Sequence, residues 1–290
     1  MKRRRCVWCG GGPLTREHVI PAWLRDVLAH AFQGDGGGYD FASRFNTADE
    51  EGPLRSYAQV KPELVVKAAC ETCNGGWMAC LEAETMPILA PMVRGERKHL
   101  EVDAQAVLAH WVSKTVVVLG CHEASAVILD SGDLDQISRR GTAPIGFHIR
   151  LAYRADEDPS PFDIYGSTHF AAPPGAATRD EAERSDPNAF SVTLGVGRVA
   201  IAVVGGPGVA NPQRWVSGGT FPLMIWPPTA DGIDWPPSAP LLRSRDDLQQ
   251  FHEAFWTGIL NPEFPRPDAL RKLVELGDGT ESTRTPPGHG

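Results

Sequence analysis

Two short stretches decide how this chain folds. They are Cys6-Val7-Trp8-Cys9, followed by Gly10-Gly11-Gly12, and Cys70-Glu71-Thr72-Cys73, followed by Asn74-Gly75-Gly76-Trp77-Met78. A Cys-x-x-Cys turn sets two thiolates on one side of a tight loop, at the span of one edge of a tetrahedron around Zn²⁺. Two such pairs complete a four-sulfur site, so Cys6, Cys9, Cys70 and Cys73 are predicted to hold a structural zinc. The glycines after Cys9 permit the positive φ of a knuckle whose amides face sulfur. The second pair stands where a helical pattern begins, so Cys73 would bind from a first helical turn. A knuckle and a pair at a helix start make a treble clef. Cys80 and Cys121 stand alone and read as ordinary core thiols.

Outward from these pairs, an amphipathic stretch covers Pro21–His30. Residues 33–62 are polar and Gly-rich, with neither period sustained, and read as a loop or insertion. Helical pattern resumes at the second pair and is expected to stop at Pro87 and Pro91. Ala104, Val107, Leu108, Trp111, Val112, Thr115 and Leu119 recur at helical spacing, which predicts a helix from Asp103 to Gly120. Beyond it, Ile145–Tyr153, Phe190–Leu194 and Arg198–Val204 are short and β-branched, and read as strands. Segments 155–163 and 172–188 read as loops, and Asp246–Leu260 as another helix. The prediction is an α+β chain: a zinc module over residues 1–95, a second α+β domain of unknown role over 96–276, and a disordered tail over 277–290.

Between the cysteine pairs lies Thr15-Arg16-Glu17-His18-Val19-Ile20-Pro21. With both pairs on one zinc, the strand bearing Glu17 and His18 folds back against the helix bearing Asn74. Glu17 and Asn74 offer hard oxygens to Mg²⁺ or Mn²⁺, and neutral His18 suits a base that takes a proton from water. Neighbours on a strand point to opposite faces, so a bulge or a backbone contribution is expected if Glu17 and His18 serve one site. Cys-x-x-Cys, Glu-His-Val-Ile-Pro and Cys-x-x-Cys-Asn with Gly-Trp-Met resemble the zinc-stapled HNH endonucleases, over about residues 4–85. The resemblance implies Glu17 and Asn74 as ligands of the catalytic metal, His18 as general base, and the four cysteines on structural zinc. The family's Asn before the second pair has no counterpart in Glu63–Ala69, so Asn46 or a backbone carbonyl would take its place.

The implied function is metal-dependent hydrolysis of nucleic-acid phosphodiesters, with DNA as the expected substrate. The alternative is a catalytically silent zinc module that binds nucleic acid or protein. A third expectation makes the acidic region a regulator of the first. The net charge of −8 speaks against a nucleic-acid partner until it is located. Residues 1–100 carry 13 Lys and Arg against 12 Asp and Glu, which leaves 15 against 24 for the remainder of the chain. The acidity therefore belongs to residues 101–290. Arg3, Arg4, Arg5 and Arg16, with Arg25 nearby, are candidate phosphate contacts. The basic start has no apolar stretch behind it, and no apolar run is expected to reach the ~18 residues of a membrane span. A cytoplasmic chain without a membrane partner is expected, in which paired cysteines favour metal over disulfide.

Overall fold

The structure, a computed structural model, describes residues 5–32, 39–46, 55–59, 64–122, 127–156, 160–169, 187–209, 223–238 and 241–260. It is a mixed α and β chain with a four-cysteine cluster near its start. The first part runs β1 (Glu17–His18), α1 (Ala22–Phe32), β2 (Tyr39–Asn46), β3 (Arg55–Gln59) and β4 (Val65–Val66). There follow α2 (Glu71–Cys73), a kinked turn (Asn74–Met78) in which Gly76 leaves helical φ/ψ, α3 (Ala79–Val93), β5 (Lys98–Leu100), α4 (Val102–His122) and α5 (Ser131–Ser138). The second part contributes β6 (His148–Arg154), β7 (Phe162–His169), β8 (Ala189–Val196), β9 (Val199–Gly205), β10 (Leu223–Trp226), β11 (Ile233–Trp235) and β12 (Leu241–Leu242). A closing helix, α6, spans Arg245–Leu260.

One large sheet has the order β10-β6-β9-β8-β7-β2-β3, with β12 added on β6. Strands β8 and β9 form a hairpin in which Val196 faces Val199, and Gly197 takes the positive φ (51°) that a tight two-residue turn demands at its first position. Every residue of β7, β8 and β9 is buried. Alternation explains how both faces are covered. Val199, Ile201 and Val203 join the main core, while Ala200, Ala202 and Val204 meet Leu248 and Phe251 of α6. Small residues on that second face let the helix lie close. Gly195 shows the limit of that closeness, because a Cβ there would sit 2.8 Å from both Arg154 Nη1 and Leu248 Cδ2.

Three expectations are corrected. Residues 33–62 are not all loop: β2 and β3 lie there, β2 running parallel to β7 from Ala42↔Asp163 to Asn46↔Ser167. The polar side chains of β2 hide its period, and the strand exists because β7, far along the chain, supplies its partner. Strand β7 itself begins inside the segment read as loop 155–163, and β10, β11 and β12 were not anticipated. Helix α3 passes through both Pro87 and Pro91 to Val93. Its burial of Leu89, Ala90, Met92 and Val93 outweighs the lost backbone bonds. The expected tail at 277–290 lies outside the described residues.

The anticipated boundary near residue 95 falls between α3 and β5, yet packing runs across it. A single core cluster holds Cys6, Leu28 and Met78 together with Phe190, Ile201 and Trp235. Trp235 Nε1 donates to the Met92 carbonyl at 3.2 Å. Between the two regions lies α4, whose residues Leu108–Leu119 are all buried. By length and a mean hydropathy of 1.3 this helix would pass for a membrane span, contrary to expectation, but most of that stretch is covered by the rest of the protein.

Candidate metal centre

The cysteine cluster is built on the extended segment before α2. Val7 N donates to the Ala68 carbonyl at 2.9 Å and Thr15 N to the Ala69 carbonyl at 2.8 Å, which ties the knuckle and the strand entering β1 to the same segment. The knuckle closes on itself through Gly10 N to the Cys6 carbonyl and Cys6 N to the Gly11 carbonyl, with Gly10 at φ 71°. Gly11 N points at Cys9 Sγ, 3.4 Å away. Cys70 is extended at the start of α2, and Cys73 lies on its single turn.

The result is four Sγ atoms all within 4.8 Å of one another, with Cys9 and Cys70 at 3.5 Å. A tetrahedral zinc with Zn–S of about 2.3 Å requires sulfur–sulfur edges of about 3.8 Å. All four cysteines are free thiols, and four soft sulfurs at this separation suit a metal such as zinc. The Cys73 amide brings the Cys70 thiol down to about 7, as expected for sulfur at a helix start. Burial pushes the Cys73 thiol up. Cys80 is exposed and so is not the core thiol anticipated, whereas Cys121 is half-buried and packs against the main core.

Around the cluster the predicted site residues divide. Strand β1 pairs antiparallel with β4, Glu17 opposite Val66 and His18 opposite Val65, with no bulge. Glu17 turns inward and is 4% exposed, whereas its neighbour His18 is half-buried. Asn74 lies just past Cys73, and its Nδ2 donates to Thr15 Oγ1 at 3.0 Å. Thr15 in turn donates to the Ala69 carbonyl. Asn74 is thus tied to the strand bearing the Glu-His pair, two residues before Glu17. Asn46, the substitute for the missing middle Asn, stands in the large sheet opposite Ser167. Arg5 and Arg16 are exposed and Arg25 half-buried, while Arg3 and Arg4 lie outside the described residues.

Glu17 has a partner that sequence reading missed. Lys114 Nζ of α4 lies 3.3 Å from Glu17 Oε1 and 2.8 Å from Glu82 Oε1. Burial raises the Glu17 carboxyl above its ordinary range, and the Lys114 ammonium opposes that shift. One turn earlier, His110 stacks on Trp77 at 5.7 Å, and Trp77 meets Trp8 of the knuckle edge-on at 5.1 Å. Burial lowers the basicity of His110, whose Nε2 lies 2.8 Å from the Ile137 carbonyl oxygen. The available signal was a single lysine within a largely apolar stretch, 108–119, of a predicted helix. Comparison with protein-family models, with curated proteins and with solved structures gives no match, so the site is read on its own geometry.

Proposed function

We propose that this chain is a metal-dependent endonuclease of the HNH type, hydrolysing phosphodiester bonds of DNA from a cysteine-stapled, treble-clef module. One observation carries the reading. Two antiparallel strands, β1 and β4, lead directly into a helical segment whose first residues include Cys73 and Asn74, and the four sulfurs gather both ends of that unit. Zinc is the structural metal of this proposal.

In this reading His18 accepts a proton from the attacking water, a role that neutral imidazole can fill. Asn74 is oriented for its part by Thr15, because donation through Nδ2 leaves Oδ1 as its hard donor. Glu17 meets Lys114 through Oε1, which leaves Oε2 as the oxygen it would contribute. Mg²⁺ or Mn²⁺ bound there would polarise the phosphate and stabilise the leaving oxygen. Exposed Arg5 and Arg16 would meet neighbouring phosphates.

A second reading has its own observation. Glu17 is 4% exposed and already faces a buried ammonium, which suits a structural acid in a silent zinc-stapled binding module. Cleavage of duplex DNA, single-stranded DNA and RNA by the zinc-loaded chain, with Mg²⁺ or Mn²⁺, separates the two. The nuclease reading expects cutting that falls by about 10²-fold or more in His18→Ala. Equal cutting by that variant sinks it. Retained binding with no cutting under either ion selects the silent module.

A further inference from the structure

Lys114 is the sole Lys or Arg in the buried run Leu108–Leu119, and its side chain has no exposure. A buried ammonium gives up hydration that its ion pairs regain only with good geometry, and an apolar side chain of like length would fill the space without that loss. Stability alone is therefore a weak reason for it. The two carboxylates it meets come from different elements, Glu17 from β1 and Glu82 from α3. Strands β1 and β4 have two residues each, continued on either side by Thr15 N to the Ala69 carbonyl and Val19 N to the Leu64 carbonyl, and so short a pair is not stable by itself. Tertiary contacts must seat it, and on the inward face of β1 Glu17 meets Lys114.

We infer that Lys114 is a positioning residue: by holding Glu17 and Glu82 together it locks β1 onto α3 and thereby sets the direction of His18, on the opposite face of the strand. The role of His18 in catalysis rests on the nuclease reading above, whereas the clamp itself does not. Its three groups come from β1, α3 and α4, so it forms only when α4 is seated against the cysteine module. His110, one turn earlier on α4, also faces the module, where it stacks on Trp77.

The test uses the full-length, zinc-loaded chain with ¹³C-labelled histidines, the His18 signal being the one lost in His18→Ala. In Lys114→Met the His18 signal is expected to move, and kcat for DNA cleavage to fall at least tenfold with KM within twofold. Lys114→Arg, which keeps a cation, is expected to restore both toward the parent. A folded, zinc-loaded Lys114→Met with unchanged signal and rate overturns the inference. Should that variant not fold, Glu82→Gln at the more exposed end of the clamp decides: a moved His18 signal supports it and an unmoved one refutes it. If the parent cuts no nucleic acid, the nuclease reading fails, and displacement of the His18 signal still decides the clamp.

Discussion

At the residue scale the cysteine cluster makes the firmest demand on chemistry. Each sulfur is one of four close donors, so Cys70→Ser should leave well under one zinc per chain by elemental analysis, with a lower unfolding temperature. Full zinc retention in that variant would remove the four-sulfur site. The cluster was legible because Cys-x-x-Cys spacing is local, and a turn of four residues fixes its own geometry. The carboxylate at Glu17 was legible only in type. Its environment is set by Lys114, 97 residues away, and no local pattern announces that pairing.

At the scale of elements, α3 and the strands around β7 show where local signals yield to packing. Pro87 is exposed inside α3, where it removes a backbone donor that any other residue would supply. Pro87→Ala should stabilise the chain by about 1–3 kcal/mol in urea unfolding; a loss of stability would mean the proline ring itself is needed there. Gly195 makes the opposite case. Arg154, held by Asp163 at 3.1 Å and Asp156 at 3.4 Å, cannot retreat from a new Cβ, so Gly195→Ala should cost about 1–3 kcal/mol by the same measurement. Helix α4 was anticipated almost to its ends, since its period is carried by large apolar residues. Strand β2 was not, because Ser43, Arg44 and Asn46 are polar and its pairing with β7 is parallel and distant in sequence.

Across the whole molecule, burial of neutral histidines links fold to pH. His252 bridges Ser167 and Thr193, and His169 meets Ser191, in the layer where the sheet meets α6. Burial lowers both to about 3, and His148 to about 4. Their folded-state values lie below the unfolded value near 6.5. Their neutral forms are therefore compatible with folding above about pH 6.5, and stability is lost as pH falls toward the folded values, because the unfolded chain takes up protons that the folded one refuses. Each contributes a loss of about 1.4 kcal/mol per pH unit in that window. The unfolding free energy should thus fall steeply between about pH 6 and 4, and His252→Gln should flatten the slope by one proton; an unchanged slope would show that His252 titrates normally in the fold.

The position of β2 has a consequence for how metal and sheet depend on one another. Cys9 and Cys70 are 61 residues apart, and β2 and β3, the far edge of the large sheet, lie within the loop they bracket. A metal joining the two pairs ties that loop at its base, which on the chain-entropy account restricts the unfolded state by about 4 kcal/mol. Chelation should consequently register far from sulfur. Amides of β2 and β3 would exchange with solvent faster in the stripped protein, while those of the β8–β9 hairpin, closed by its own two-residue turn, would hold. The metal then acts as the knot of a tether, and what hangs from it is the margin of the sheet.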